Sequence, residues 1–131
     1  VEPISRLVTN SVSCTSAFSQ KAAAAAIQGP QDSVKMMLEE FKERSKIVVN
    51  GFNEINGISC IQPKGAFYAF PNIKDTGYKS QDLSDALLQQ GVAVLPGTSF
   101  GKFGEGYLRI SFANSRENLK KALNIIKEYL D

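Results

Sequence analysis

A chain of 131 residues with 43% hydrophobic and 21% charged residues has the composition of a globular protein, long enough for one ordinary domain or a small domain plus part of another. Its net charge of +2 is dispersed among acids and bases, which argues against the concentrated basic stripe of a nucleic-acid binder. No apolar run approaches the ~20 residues that span a bilayer. The absence of histidine removes Ser-His-Asp and Cys-His catalysis, histidine acid–base chemistry and histidine metal ligation.

Residues 1–13 are polar and β-branched and read as an extended lead-in. The cluster Ser13-Cys14-Thr15-Ser16 can cap a helix that runs through Ala22–Ala26 to Ile27 and stops at Gly29-Pro30. The alanine run gives high helix propensity and little bulk. It fits a plain helix, or one packed closely against another helix or subunit. From Gln31, the residues Val34, Met37, Leu38, Phe41, Val48, Phe52 and Ile55 recur at helical spacing, with Ser45 on the same face. Unbroken to Ile55, that helix is ~37 Å long at 1.5 Å per residue, a length that often joins two domains. Asn56-Gly57 ends it.

The second half alternates short strands with helices. Strands are expected at 58–61, 66–70 and 92–95, and in the stretch Tyr107–Phe112. Pro63-Lys64-Gly65 and Asp75-Thr76-Gly77 are turns. Ser80 can cap a helix through Leu83, Ala86 and Leu87, closed by Gly91. Asn114 or Ser115 caps the last helix, with Leu119, Ala122, Leu123, Ile126 and Leu130 facing the core. The order α-α-β-β-α-β-β-α, with strand connections too short for parallel crossovers, gives an α+β fold. Its sheet is small, antiparallel or mixed, and covered by helices.

Cys14 and Cys60 form neither a CxxC nor a zinc-like cluster, so no metal site is expected, and reduced thiols are favoured over a disulfide. No signal-peptide pattern opens the chain, and a cytoplasmic location is expected. The start at Val1 rather than methionine is that of a fragment or a processed product.

Gly97-Thr98-Ser99-Phe100-Gly101-Lys102 lacks the spacing and the Ser or Thr of a nucleotide phosphate loop. It reads as a turn between strands, or as a glycine-rich loop that lets backbone approach a ligand. Phe67 and Tyr68, adjacent on a strand, point to opposite faces; both can be packing residues, or one can line a cleft. Leu108, Ile110 and Phe112 fall on one face of their strand, and Tyr107, Arg109 and Ser111 on the other. Arg109 either sits on a solvated face or offers a guanidinium fork that matches a carboxylate.

Three ordered stretches, "PKGAFYAF" (63–70), "GVAVLPGTSFG" (91–101) and "YLRISFANSRENLKKAL" (107–123), resemble the C-terminal part of the fold-type I, pyridoxal-phosphate-dependent aminotransferases. The likeness is to the aspartate aminotransferase-like class I/II enzymes. "NSVSCTSAFSQKAA" (10–23) is similar to the segment opening the helix before the family's long interdomain helix. The resemblance implies that Arg109 binds the α-carboxylate of the amino-acid substrate, and that Phe67 lines the substrate entrance.

The lysine that forms the Schiff base with pyridoxal 5'-phosphate lies upstream in the family, as do the main contacts to that cofactor. Ser45-Lys46, the only Ser-Lys pair, falls inside the long helix and is rejected for that role. Residues 1–29 are then the tail of the large domain, with its interface helix. Residues 30–131 are the small C-terminal domain, including the helix 31–55. The implied parent is a homodimeric enzyme of amino-acid metabolism and biosynthesis, acting on an amino acid, aspartate by resemblance, and a 2-oxo acid. The chain alone is expected to be inactive. Another reaction on the same fold (a β-lyase or a synthase) and a stand-alone module binding amino or organic acids are the alternatives. No membrane or nucleic-acid partner is expected.

Overall fold

The computed structural model describes all 131 residues, which divide into two compact units, Val1–Met36 and Met37–Asp131. In the first, α1 (Glu2–Ser11) occupies the stretch expected to be extended. Local chemistry explains the difference. Pro3 stands in the first turn, where its missing N–H costs no hydrogen bond. Arg6 bonds Glu2 across one turn at 2.7 Å. Thr9 Oγ1 and Ser11 Oγ donate to the carbonyls of Ser5 and Leu7, so both hydroxyls are satisfied inside a helix. Ile4, Leu7, Val8 and Val12 form an exposed apolar stripe.

Helix α2 (Ala17–Gln28) follows with Ser16 as its N-cap residue. The Ser16 hydroxyl meets Ser19 Oγ at 2.8 Å rather than a backbone N–H. Neither α1 nor α2 buries a residue. The long helix α3 (Asp32–Asn53) begins in this unit and continues into the second.

In the second unit α3 buries Ser45, Val48, Val49 and Phe52, while Leu38 stays half exposed. The apolar stripe read from the sequence is therefore covered only in its C-terminal half. Ser45 is tolerated within it because its Oγ accepts a hydrogen bond from Gln62 Nε2 at 2.6 Å.

Three strands make the sheet: β1 (Tyr68–Ala69), β2 (Leu95–Pro96) and β3 (Leu108–Ser111), in the order β1-β3-β2, antiparallel throughout. Helix α4 (Ser80–Gln89) lies between β1 and β2 in sequence, and α5 (Arg116–Leu130) closes the chain. Ser115 caps α5, its Oγ accepting from Asn118 N at 3.1 Å. The core joins Val48, Phe52 and Ile55 to Ile73, Leu83, Leu87, Leu108, Ile110, Phe112, Leu119, Leu123 and Ile126. The fold is α+β, as its element order implies.

Two expected strands are largely replaced by side-chain bonding. At 58–61 only Ser59 bridges, to Asn72. Next to it, Asn53 takes the place of a partner strand: its Oδ1 accepts from Cys60 N at 2.7 Å and its Nδ2 donates to Cys60 O at 3.0 Å. At 92–95 only Leu95 pairs with β3. Val92 N instead donates to Leu87 O, and Val94 O accepts from Ser84 Oγ, so this backbone is satisfied by α4.

Both cysteines are free thiols. Cys14 is exposed and Cys60 is buried, and burial pushes the Cys60 thiol above its ordinary value. No helix is long and apolar enough to cross a membrane, and no group of three or more Cys, Asp or Glu side chains is placed to hold a metal ion.

Candidate functional site

Arg109 sits in the central strand. Its neighbours Leu108 and Ile110 are buried in the core, so alternation along β3 turns Arg109 to the opposite face, where it is partly exposed. Leu95 of β2 lies opposite it in register, and Tyr68 of β1 lies opposite Ser111. A central strand fixes the arginine's Cα from both sides.

The guanidinium meets one ring from each flank. Its Cζ lies 4.4 Å from the centroid of Tyr68, on β1, and 3.9 Å from the centroid of Phe100, in the 3-10 turn that follows β2. Such contacts set the cation against the electron-rich face of the ring. No carboxylate within the chain pairs with Arg109. Contrast Arg44 and Arg116, which both reach Glu40. Those two guanidinium groups, Arg116 first, hold the Glu40 carboxyl down at about 2. Arg109 thus keeps its N–H fork free for an anion from outside, while its cation lies over two rings. A cleft of about 220 Å³ lies beside it, lined by Tyr68, Ala93, Val94, Leu95, Arg109 and Ser111.

Aromatic packing continues across this face. Phe70 stacks on Tyr107 at 5.3 Å and meets the edge of Phe100 at 6.3 Å. Phe67 is 40% exposed and packs on Tyr68 at 4.4 Å and Phe41 at 6.3 Å. Phe67 reaches Phe41, which also meets the buried Phe112 at 6.3 Å, whereas Tyr68 reaches Arg109. Ala66 has a positive φ of 57°, and the pairing with β3 is already made at Phe67, whose carbonyl accepts from Phe112 N at 2.9 Å. Phe67 stays linked to Arg109 through the Tyr68 ring.

The glycine-rich loop brings its own backbone together. A Cβ on Gly97 would collide with the Gly104 carbonyl, and one on Gly104 with the Gly97 carbonyl. Two backbone segments touch there, and the loop folds on itself. Gly97 N bonds Tyr107 O at 2.8 Å and Tyr107 N bonds Gly104 O at 3.2 Å. Glu105 anchors the far end of the loop, accepting from Ser80 N, from Gly106 N and from Ser80 Oγ. Those bonds, the Ser80 and Gly106 amides first, lower the Glu105 carboxyl from its ordinary value. Ser80 is accordingly the first residue of α4 and not its cap; the cap comes from across the chain.

These residues do not form a pyridoxal phosphate site by themselves. No lysine lines the Arg109 cleft. Lys46 is ion-paired to Glu43 at 2.7 Å on the flank of α3, which raises its ammonium above the ordinary value.

Sequence reasoning passed over Tyr68 and Phe100 as companions of Arg109. Tyr68 carried a usable signal, since antiparallel pairing places it beside the arginine's strand on the same face. Phe100 carried none, because its approach depends on how the loop folds.

Residues 4–126 match the family model described as aminotransferase class I and II. An aspartate aminotransferase of Pyrococcus horikoshii is 49% identical over 100 residues, which is 76% of this chain and 26% of that protein. The crystal structure of an aromatic aminotransferase from Pyrococcus horikoshii superposes with a TM-score of 0.89 at 40% identity, over 95% of this chain and 34% of that one. An alanine aminotransferase from Pyrococcus furiosus gives a TM-score of 0.91 at 32% identity, over 98% of this chain and 33% of that one. The chain therefore spans about a third or less of the length of these relatives.

Proposed function

The chain belongs to the class I and II aminotransferases, and from that premise we propose that it is the C-terminal part of an enzyme moving an amino group between an amino acid and a 2-oxo acid. In this reading Val1–Gly29 belongs to the large domain, and residues 30–131 form the small domain with α3 leading into it. The enzyme works with pyridoxal 5'-phosphate, held chiefly by upstream residues; when bound, that group supplies the electron sink for the chemistry at the α-carbon. The chain by itself lacks the lysine for that chemistry and is inactive.

The observation that carries the proposal is the free guanidinium of Arg109 on a central strand, with its cation over two rings and no carboxylate partner. Amino acid and 2-oxo acid differ at the reacting carbon and share the α-carboxylate. A single bidentate clamp on that carboxylate presents both substrates in one pose. Phe67, half exposed and packed on the Tyr68 ring that lines this cleft, is assigned the substrate entrance by the resemblance. The relatives bear aspartate, aromatic and alanine names, so they support the reaction class rather than one side chain. The enzyme is a cytoplasmic homodimer of amino-acid biosynthesis; the exposed apolar stripe of α1 supports an assembly partner.

The test is a donor panel. The full-length parent, loaded with pyridoxal 5'-phosphate, is given single amino acids with a 2-oxo acid acceptor, and the new amino acid is quantified. Amino transfer from at least one donor is expected, and none from the 131-residue chain alone. Release of ammonia or carbon dioxide without amino transfer would replace this reading with a lyase or synthase. Carboxylate binding without turnover would replace it with a binding module.

A further inference from the structure

We propose that Tyr68 and Phe100 are positioning residues that set the plane of the Arg109 guanidinium and so determine how tightly the α-carboxylate of either substrate is held. This rests on the reading of Arg109 as the carboxylate clamp.

Four observations support it. The rings come from opposite neighbours of β3, Tyr68 from β1 and Phe100 from the turn after β2, at 4.4 Å and 3.9 Å from Cζ. No hydrogen bond or ion pair inside the chain fixes the guanidinium, so the rings are what orient it. Phe100 is itself held: its ring meets Phe70 edge-on, and Phe70 stacks on Tyr107. The turn that carries it is locked by the Gly97–Gly104 backbone contact and by Gly101 N bonding Thr98 O. The loop that looked like a ligand cradle thus serves to deliver one ring to the arginine.

The chemistry follows from geometry. A guanidinium donates hydrogen bonds only in its plane, and a carboxylate accepts two of them only when it lies in that plane. Free rotation about the arginine's side-chain bonds would leave that plane undetermined. Two rings packed against the cation, at 4.4 Å and 3.9 Å, restrict this freedom before substrate arrives, which raises affinity without any new contact to the substrate. They also keep water off the cation's faces and leave the edge as the site of approach.

The experiment uses the full-length, cofactor-loaded parent, with Phe100→Leu, Phe100→Tyr, Tyr68→Leu and Tyr68→Phe variants beside Arg109→Gln. Leucine keeps apolar bulk and removes the ring; tyrosine at 100 and phenylalanine at 68 keep the ring. KM is measured for an amino-acid donor and for a 2-oxo acid acceptor, with kcat and the thermal midpoint as separate readouts. Each leucine variant is expected to raise both KM values about 3- to 30-fold, from the strength of a partly exposed cation–π contact. Expected kcat changes stay within about threefold, the midpoint stays near that of the parent, and the ring-retaining variants behave like the parent. The proposal is overturned if the leucine variants keep the parental KM values, if only one substrate is affected, or if the ring-retaining variants lose affinity equally. Arg109→Gln separates the two layers. Unchanged KM there removes the clamp itself, whereas impaired Arg109→Gln with normal leucine variants removes only the role of the rings.

Discussion

Replacing Gly104 with alanine tests whether the loop beneath Phe100 is held by direct backbone contact. An alanine Cβ at 104 would overlap the Gly97 carbonyl and come within 2.9 Å of Thr98 N. The opposing atoms are backbone in a hydrogen-bonded turn, so they cannot swing away as a side-chain tip would. Forced overlap of this kind costs ~1–3 kcal/mol. Loss of glycine's freedom in the unfolded chain returns ~0.4–1 kcal/mol, leaving a net destabilisation of ~0–2.6 kcal/mol, and of ~1–3 kcal/mol relative to a Gly→Ala control that gains the same return. Gly65 is the matched control: its φ is not positive, and nothing lies within 4 Å of the point where a Cβ would stand. Gly65→Ala is therefore expected to be neutral or to stabilise by ~0.4–1 kcal/mol. Urea unfolding of both variants, followed by circular dichroism, reads the difference directly. Equal midpoints for the two variants would refute the contact and, with it, the account of why the loop presents Phe100.

Further consequences concern the core, the satisfied backbone and an ion pair. Phe52 is fully buried, and Phe52→Ala is expected to cost ~3–5 kcal/mol in the same urea assay. Asn53→Ala strips both backbone bonds from the buried Cys60 and is expected to cost ~1–3 kcal/mol, whereas an exposed-side control such as Glu54→Ala stays within about 0.5 kcal/mol. The Glu40 carboxyl is held at about 2, below its ordinary value of 4.5, by Arg116 and Arg44. Because the folded value is the lower one, the stabilisation is present above pH 4.5 and is lost as pH falls to about 2. Thermal midpoints of the parent and Glu40→Gln should therefore differ at pH 7 and converge near pH 2; a constant gap across that window would contradict the pairing.

How much of this was legible beforehand depends on where the chain's bonds are satisfied. Helices α3, α4 and α5 declare themselves because Val48, Phe52, Leu83, Leu87, Leu119, Leu123 and Ile126 recur on buried faces at helical spacing. β3 declares itself by alternation, and Arg109 stands out as a cation in an apolar strand. α1 was hidden because its threonine and serines resemble strand or loop composition, while the hydroxyls in fact bond back within the helix. The strands expected at 58–61 and 92–95 are short because Asn53 and Ser84, on the preceding helices, take up backbone groups that a neighbouring strand would otherwise satisfy. Local pattern does not reveal such bonds. The same limit explains Phe100, whose place at Arg109 depends on two glycines touching across a loop.

The central claim is that Arg109 recognises a carboxylate, and one comparison tests it most directly. The full-length enzyme is given L-phenylalanine and its carboxylate-free counterpart, 2-phenylethylamine, as amino donors, with the parent and with Arg109→Gln. Two charge-assisted hydrogen bonds are worth ~3–6 kcal/mol together, so the parent should favour the amino acid in kcat/KM by at least ~100-fold. Arg109→Gln should lose most of that preference through the amino acid alone, with the amine little changed. An undiminished preference in the variant would show that the carboxylate is held elsewhere and would contradict the account.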